Sequence, residues 1–440
     1  MPLTFEQALE FVSGLQHRGW RLGLDRMREF VVRAGLLNSI EGDLAPRFIH
    51  VAGTNGKGST TAYVQSVLMS QGFRVGGYFS PYVYHVTERI QLGGEPISDD
   101  EFTRLVEALI PVATSMDESE LGPVTEFEFK TAMGFRCWGD AGCDWVALEV
   151  GLGGELDATN VITPDCSVIA SIGLDHGEIL GPTLQDIAKA KAGILKPGVP
   201  AVVGNLPIPA MEVVLKVAEE RGCPLWRVGR EVVAERDGKG AYVVQTPTRR
   251  FSPVVPGMKG PHQIDNAALA LAAAEASQAI EDPSAACEAL ARTRLPGRFE
   301  VREFAGKRMV LDGAHNADSA RELRGTLDEE FSGLPVVLLV GMLSGHDCAA
   351  FFEPLVGRVG RGHAAPIDFF RAMPPLLVAE CATRAGVPCS AHSDLVSALD
   401  QSLQETPEGG VLLVTGSFYL VGEVGRSLRE REARAIHASA

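Results

Sequence analysis

The sequence predicts an α/β protein with two domains, each built on a mostly parallel sheet with helices on its faces. Short apolar runs alternate with longer helical patterns from Arg47 to His176, which is typical of βαβ units. The same alternation restarts after a Pro-Gly break at 296–297. Because 440 residues exceed what one ordinary core holds, we expect domains at 1–296 and 297–440.

In the N-terminal domain, apolar runs and capping signals predict the elements. The apolar runs predict strands at 48–51, 145–150 and 167–172. Helices should begin near 99 and 184, because Ser98 and Glu101, and likewise Thr183 and Asp186, have the spacing of a capping box. Polar and apolar residues alternate over 231–255, around Asp237-Gly238-Lys239-Gly240, which predicts an antiparallel hairpin at the edge of this domain.

An Ala-rich helix over about 262–277 precedes the expected domain boundary near 296. The pattern then predicts strand 308–312, helix 318–330, strand 335–341, helix 348–357, strand 411–415 and helix 418–432. This order predicts a second, smaller three-layer α/β domain.

Composition and charge exclude several classes of protein. Hydrophobic residues make up 45% and charged residues 22% of the chain, as in ordinary soluble proteins. No apolar run approaches the ~20 residues of a membrane-spanning helix, and the start of the chain lacks a signal-peptide pattern, so we expect a cytoplasmic protein. The net charge of −16 argues against nucleic-acid or membrane-surface binding, which needs a basic face. The eight cysteines include no Cys-x-x-Cys pair, so reduced thiols are expected.

A glycine-rich turn between an apolar strand and a helix is the strongest local signal. It is the string Gly53-Thr54-Asn55-Gly56-Lys57-Gly58-Ser59-Thr60. Glycines let backbone N–H groups face phosphate oxygens, Lys57 can neutralise the β- and γ-phosphates, and Ser59 can ligate Mg²⁺. Gly58 separates Lys57 from Ser59, which departs from the usual P-loop spacing. The alternative is a turn without a ligand, but the strand-turn-helix context favours a nucleotide site.

Polar residues at strand ends extend this site. Glu149 ends one apolar strand and His176 follows the next, and ligands gather at the carboxyl ends of strands in open α/β sheets. Glu149 is predicted to bind Mg²⁺, although a strand-end carboxylate can also pair with a neighbouring base. His176 alone would more often be structural, but its position beside the other groups favours function. On the helix that follows, sequence reasoning does not distinguish Lys191 from Lys189.

With these residues in place, the chain resembles the folylpolyglutamate synthase and dihydrofolate synthase branch of the Mur ligase family over nearly its whole length. Besides the phosphate loop, the resemblance rests on Gly23-Leu24-Asp25-Arg26, Ser80-Pro81, Glu88-Arg89-Ile90, Thr125-Glu126-Phe127-Glu128, 148–160, 173–176, Lys191-Ala192-Gly193-Ile194, His262-Gln263, Asn266-Ala267-Ala268, 296–300, 312–316 and Thr415-Gly416-Ser417. It implies an N-terminal P-loop parallel-sheet ATPase domain that also binds folate, and a smaller C-terminal Rossmann-like ligase domain.

The resemblance implies a site for ATP and two Mg²⁺ ions. One ion would be held by Ser59, Ser80 and Glu149, and the other by His176 and Lys191 as an N-carboxylated lysine. A carbamate would turn a repelling cation into an oxygen ligand, which Mg²⁺ prefers. The resemblance also assigns to ATP the loop residues 54–60 together with Asn266, Arg298, Asp312 and His315. The catalytic residues would be Lys57, Glu149, His176 and Lys191.

The implied reaction transfers the γ-phosphoryl group of ATP to a carboxylate, and the amine of L-glutamate then attacks the acyl phosphate. The acceptor would be a folate and, in a bifunctional enzyme, also dihydropteroate. By resemblance, the acceptor site is formed by Thr125, Glu126, Phe127, Glu128, Leu156, Asp157 and Ala158. Phe127 could stack on a pterin ring or be a core aromatic residue. We expect a monomer that acts on small molecules.

Three departures from the family pattern bear on the substrates. Glu155 stands where relatives usually have Arg, beside the implied pterin site. Ala190 stands where an acidic residue commonly precedes the lysine. Gly345-His346-Asp347 stands where Asp-Lys-Asp is usual, which affects the expected contacts to glutamate.

Two other functions remain as alternatives. One is a cell-wall precursor ligase of the same family, and the other is a nucleotide-binding regulator without catalysis. The Gly58 insertion and the string at 148–160 favour the folate branch over the first. The retention of the lysines, the carboxylate and the histidine of the predicted site favours an enzyme over the second.

Overall fold

The chain folds into two compact units in the computed structural model, which describes residues 2–19, 21, 23–238 and 240–439. The first unit comprises Met1–Pro81, Thr87–Gly257 and Ile264–Thr293, and the second comprises Tyr82–Val86, Met258–Gln263 and Arg294–Ala440. Two short segments of the N-terminal region therefore belong to the second unit. The predicted division of the sequence at 296 places both segments in the first domain.

The first unit is built on an eight-stranded sheet. Its strands are β1 (Arg47–Ala52), β2 (Val75–Tyr78), β3 (Ile90–Leu92), β4 (Glu95–Pro96), β5 (Trp145–Glu149), β6 (Cys166–Ile169), β7 (Ala201–Val203) and β8 (Leu225–Arg227). Their order is β4-β3-β2-β5-β1-β6-β7-β8, and β3 is antiparallel to both β2 and β4 while the other pairs are parallel. The three predicted strands are present, although β6 ends at Ile169 rather than at 172.

Ten helices of the first unit connect these strands or flank them in the described part of the chain. They are α1 (Phe5–Gly14), α2 (Asp25–Arg33), α3 (Lys57–Ser70), α4 (Asp99–Met116), α5 (Glu126–Ala141), α6 (Gly177–Leu180), α7 (Leu184–Ala192), α8 (Ile208–Glu220), α9 (Gln263–Ala276) and α10 (Pro283–Arg292). The Ser98 side chain accepts a hydrogen bond from the Glu101 amide, and Thr183 does the same for Asp186. Both predicted helix starts are therefore confirmed.

The predicted hairpin is part of a separate antiparallel sheet. Its strands are β9 (Val233–Arg236), β10 (Tyr242–Gln245) and β11 (Arg250–Val254), in the order β11-β10-β9. Lys239, a residue of the predicted turn, lies outside the described residues.

The second unit is built on a six-stranded sheet. In chain order its elements are β12 (Glu300–Phe304), β13 (Lys307–Leu311), α11 (Ala317–Glu330), β14 (Val336–Val340), α12 (Cys348–Phe352), β15 (Arg361–Ala364), α13 (Pro375–Ala385), β16 (Cys389–Ala391), α14 (Leu395–Glu405), β17 (Val411–Thr415) and α15 (Phe418–Ser439). The order is β12-β13-β17-β14-β15-β16, parallel except for β12. Alternate residues of β14 enter cores on opposite faces, which explains its continuous apolar sequence.

Two predictions for the second unit need correction or extension. The helix predicted at 348–357 ends at Phe352, and a short 3₁₀ turn follows because Pro354 cannot donate a backbone hydrogen bond. The sequence pattern predicted no element over 358–410, where two strands and two helices lie.

Over the described residues, no helix combines the length and apolar character needed to cross a membrane.

Candidate active site

The glycine-rich turn forms the start of α3 at the carboxyl end of β1. Gly56 has φ of 80°, and a Cβ atom there would lie 2.6 Å from the Asn266 side-chain oxygen, so only glycine fits. The Lys57 ammonium donates to the Thr54 carbonyl at 3.1 Å. Ser59 is buried in the first turn of the helix. A helix N-terminus with a lysine beside it is a favourable position for an anion.

The segment after β6 holds the phosphate loop in place. Thr54 Oγ1 donates to the Gly173 carbonyl at 3.2 Å and accepts from the Gly173 amide at 3.0 Å. The Asn55 amide donates to Ser171 Oγ at 2.8 Å. His176 lies a few residues farther along this segment with φ of 52°, and its side chain is 29% exposed. The loop and the histidine segment are thus one hydrogen-bonded structure.

Glu149 and Ser80 meet at the same edge of the sheet. Glu149 is the last residue of β5, and Val51 of β1 is its neighbour in the register. Its side chain is 2% exposed, and its Oε2 accepts a hydrogen bond from the Ser80 amide at 2.9 Å. Because β1 and β5 are adjacent and parallel, this carboxylate and the phosphate loop lie at the same sheet edge.

The two lysines of α7 differ in burial, and the buried one is Lys191, the lysine that the family resemblance implies. Lys191 is 4% exposed, and its ammonium donates to the Gly53 carbonyl of the phosphate loop at 2.9 Å. Lys189 is exposed. Burial lowers the pKa of Lys191 to about 7, and the charge of Lys57 adds to the effect. A buried lysine with this pKa has a substantial neutral fraction at neutral pH.

The residues present fit a divalent metal only if ligands beyond carboxylate and imidazole take part. Among the described residues, no three His, Cys, Asp or Glu side chains form a group that could hold a metal ion. Each predicted set contains only one such side chain, Glu149 or His176. The remaining ligands would have to be serine hydroxyls, a carboxylated Lys191 and phosphate oxygens, all of which are oxygen donors suited to Mg²⁺.

Two of the predicted acceptor residues form a helix cap. Thr125 and Glu128 make a capping box at the start of α5, and Glu128 also pairs with Arg26 at 2.8 Å. Glu126 forms an ion pair with the buried Lys130. The spacing of Thr125 and Glu128 is itself a capping-box signal, so the start of α5 is predictable from the sequence.

Phe127 is the aromatic residue of this segment, and it is partly exposed. Its ring lies edge-on to Tyr78, with centroids 6.1 Å apart. The Arg89 guanidinium lies 5.7 Å from the ring centre of Phe127 and at the same distance from that of Tyr78. These contacts hold Phe127 in place beside a cation without burying it completely.

The second predicted acceptor segment is a tightly bonded loop. Leu156 is 45% exposed, whereas Asp157 and Ala158 are buried. Asp157 accepts hydrogen bonds from the Leu152 amide at 2.8 Å and the Thr159 amide at 3.0 Å. Burial raises the pKa of Asp157, while these hydrogen bonds oppose the shift.

Three predicted ATP residues lie in the second unit, near the ends of β13 and β17. Asp312 accepts from the amides of Phe299 at 2.8 Å and Ala314 at 2.9 Å. Burial raises the pKa of Asp312, and the charge of Arg298 opposes this. The Arg298 guanidinium lies 4.3 Å from the ring centre of Phe418.

His315 also belongs to this group. It lies beside His346, which stands at one of the positions where the sequence departs from the family pattern. Its Nδ1 lies 2.8 Å from the Gly313 carbonyl, and its ring is 4.9 Å from that of His346. The sequence predicts no individual role for His346. Asn266, the fourth predicted ATP residue, lies in the first unit, where its side-chain oxygen accepts from Thr60 Oγ1 at 3.3 Å.

Comparison with known proteins identifies the family. The Mur ligase middle domain matches residues 51–274, and the dihydrofolate synthetase C-terminal domain matches residues 300–429. The dihydrofolate synthase/folylpolyglutamate synthase of Bacillus subtilis is 32% identical over 98% of this chain and 100% of its own length. Its Escherichia coli counterpart is 32% identical over 94% of this chain and 93% of its own length. The chain belongs to the dihydrofolate synthase/folylpolyglutamate synthase branch of the Mur ligase family.

Solved structures of relatives have the same fold. Escherichia coli FolC in complex with DHPP and ADP has a TM-score of 0.87 and 29% identity, with 97% of this chain and 98% of that chain covered. The bifunctional synthase of Yersinia pestis complexed with AMPPNP and Mn ion has a TM-score of 0.84 and 32% identity, with the same coverage. The predicted fold, a P-loop parallel-sheet domain with a smaller Rossmann-like domain, is therefore confirmed.

Proposed function

We propose that this protein uses ATP to join L-glutamate to a folate acceptor, and that it accepts both tetrahydrofolates and dihydropteroate. The observation that carries the proposal is the sheet edge of the first unit. There Lys57 flanks a helix N-terminus, Glu149 ends the neighbouring strand, and Lys191 donates to the phosphate loop. The relatives are named for these two activities.

In the proposed reaction, an acceptor carboxylate oxygen attacks the γ-phosphorus of ATP, and ADP leaves. The resulting acyl phosphate has a far more electrophilic carbon than a carboxylate. The neutral glutamate amine then attacks that carbon, inorganic phosphate leaves with the electron pair of the C–O bond, and the nitrogen releases a proton to solvent to give the amide. Lys57 and the N–H groups at the start of α3 would bind the phosphates and stabilise the charge that develops during transfer.

Two Mg²⁺ ions are part of the proposal. Ser59, Ser80 and Glu149 would hold one, and His176 and a carboxylated Lys191 the other. When bound, Mg²⁺ neutralises charge on the triphosphate and on the transferring group. The Lys191 amine supports this assignment, because its lowered pKa leaves it partly neutral and so able to react with CO₂.

The acceptor would bind beside the partly exposed Phe127 and the exposed Leu156. A flat pterin ring can stack on an aromatic face, and an apolar side chain can cover its other surface. In this proposal Thr125, Glu128 and Asp157 act chiefly by fixing the backbone that presents those two side chains. Asn266, Arg298, Asp312 and His315 would bind the nucleotide.

The test is an assay of the purified full-length protein with ATP, Mg²⁺ and L-glutamate. ADP release should require an acceptor, and both dihydropteroate and tetrahydrofolate should gain one glutamate, as measured by mass spectrometry. A UDP-linked cell-wall precursor serves as the control acceptor and should not react. ADP release that ignores all acceptors, or glutamate addition only to the cell-wall precursor, would contradict the proposal.

A further inference from the structure

A histidine lies in the middle of one of the two central strands of the first sheet. His50 of β1 is fully buried between neighbours that are otherwise apolar along the strand: Phe48, Ile49, Val51 and Ala52. Central parallel strands are usually continuous apolar runs, and a buried polar group is unfavourable unless it is hydrogen-bonded. The position of His50 therefore needs a reason beyond packing.

His50 begins a chain of buried hydrogen bonds that ends in the acceptor loop. Its Nε2 lies 2.8 Å from Thr159 Oγ1, and Thr159 Oγ1 donates to Asp157 Oδ1 at 2.5 Å. A hydroxyl has only one proton to donate, so Thr159 must accept from His50. His50 is thus the tautomer with a proton on Nε2, and its Nδ1 has no hydrogen-bond partner among the described residues.

The electrostatic surroundings keep this histidine neutral. Burial lowers the pKa of His50 to about 3, and the nearby charge of Lys196 acts in the same direction. The Lys196 ammonium donates to the Asn160 carbonyl at 3.1 Å, at the end of the same loop. Neutral imidazole therefore persists through the physiological pH range, and the direction of the hydrogen bonds is fixed.

The chain of hydrogen bonds ends at Asp157, the residue that holds the loop around Leu156 in shape. Besides the Thr159 hydroxyl, Asp157 binds the Leu152 and Thr159 amides, and so closes the loop on itself. The loop also packs on α7, since the Glu155 amide donates to the Ala190 carbonyl at 2.8 Å. If the Asp157 side chain were oriented differently, these hydrogen bonds would break and the exposed Leu156 would be displaced.

We propose that His50 is a positioning residue for acceptor binding, because it orients Thr159 and Asp157 and thereby fixes the loop that presents Leu156 to the pterin ring. This inference rests on the proposed function. It adds His50, a residue inside the sheet, to the residues that determine how tightly the acceptor binds. His50 itself touches neither the acceptor nor ATP.

The test compares variants that keep the hydrogen bond with variants that lose it. His50→Leu and Thr159→Val remove it with little change in volume, whereas His50→Gln and Thr159→Ser keep a donor or a hydroxyl. The first pair should raise the KM for dihydropteroate about tenfold, since a buried acceptor loses its donor, and leave the KM for ATP unchanged. The second pair should stay within about threefold of the wild type. The double variant His50→Leu/Thr159→Val should be no worse than either single variant, because both break the same chain.

A matched control separates positioning from general destabilisation. Ser167 is the register neighbour of His50 on β6, and its hydroxyl donates to the Ile194 carbonyl at 2.9 Å. Ser167→Ala should lower the melting temperature without changing the KM for dihydropteroate. Parallel increases in both KM values, additive effects in the double variant, or an unchanged acceptor KM in folded Thr159→Val would overturn the proposal.

Hydrogen exchange tests the hydrogen-bond chain from His50 to Asp157 independently of catalysis. The Leu152 and Thr159 amides should exchange faster in Thr159→Val than in Thr159→Ser, because Asp157 would lose its orientation. If the wild type is inactive on every acceptor, the proposed function fails. The exchange measurement still decides whether the hydrogen bonds from His50 to Asp157 fix the loop that carries Leu156. Equal exchange in the two variants would overturn it.

Discussion

The carboxyl edges of the two sheets both carry predicted site residues, but these residues are held in different ways. In the first unit, buried charged side chains bind the backbone: Lys191 reaches the Gly53 carbonyl, and Glu149 accepts from the Ser80 amide. In the second unit, Asp312 is also held by backbone amides, but the partly exposed Arg298 and His315 lie against the rings of Phe418 and His346.

This difference indicates a division of roles. Charges fixed by backbone hydrogen bonds in a buried setting cannot reorient, and such preorganised charges are what phosphoryl transfer requires. Rings and a guanidinium present flat surfaces, which suit binding more than charge stabilisation in a transition state. We therefore expect substitutions at the first edge to lower kcat, and substitutions at the second edge chiefly to raise the KM for ATP.

Lys57→Ala should show the largest effect. Removing a charge that stabilises phosphoryl transfer lowers kcat on the order of a hundredfold or more. The fold should be kept, because the Lys57 ammonium donates to the Thr54 carbonyl within its own loop. Steady-state kinetics together with thermal unfolding would check both statements. Near-normal turnover in a folded Lys57→Ala protein would remove the phosphate loop from the mechanism.

Lys191→Ala should be nearly inactive, and Lys189→Ala, two residues away on the exposed face of α7, should keep wild-type activity. The pKa of Lys191 of about 7 means that the neutral amine, the form that reacts with CO₂, increases as pH rises through 7. Activity and carboxylation should therefore rise together with bicarbonate and with pH in that range. Carbon-13 NMR with labelled bicarbonate measures the carbamate directly, and equal loss in the two alanine variants would contradict the assignment.

Arg298→Ala and Asp312→Asn test the second edge. Each should raise the KM for ATP about tenfold with kcat within a few-fold of normal, since a charged hydrogen-bonding group is lost from binding. Arg308→Ala is the matched control, because Arg308 also lies over a ring, that of Phe331, at 5.2 Å. If kcat fell as steeply as in Lys57→Ala, the two edges would not differ in role.

Glu155→Arg should have the smallest effect. Glu155 is exposed next to Leu156, so the added cation would act through solvent. A polyglutamylated folate, which is strongly anionic, should bind about two- to threefold more tightly, and the gain should disappear at high salt. Binding of dihydropteroate, which carries less charge, should change less. A salt-independent gain would mean a direct contact.

Local signals predicted much of the first edge. The glycine-rich string, the strand-end Glu149 and the capping spacings of α4 and α7 are patterns of neighbouring residues, and the structure has each element near its predicted position. The alternation of apolar runs and helical patterns predicted the α/β class for the same reason. In the second unit, the strands β15 and β16 were not predicted because they are only four and three residues long, too short to show a clear periodicity.

By itself, the sequence determined the fold class, the phosphate loop and the family, because these depend on periodicity and on motifs that are contiguous in the chain. Periodicity did not distinguish Lys191 from Lys189; the family resemblance implied Lys191, and only the tertiary structure showed that Lys191 is buried while Lys189 is exposed. These residues are about 200° apart around the helix, and which side is buried depends on what α7 packs against. Only the tertiary structure joined His50 to Thr159 and Asp157, which are more than a hundred positions away in the chain. Hydrogen bonds between such distant residues leave no local pattern, because their geometry exists only once the sheet has formed.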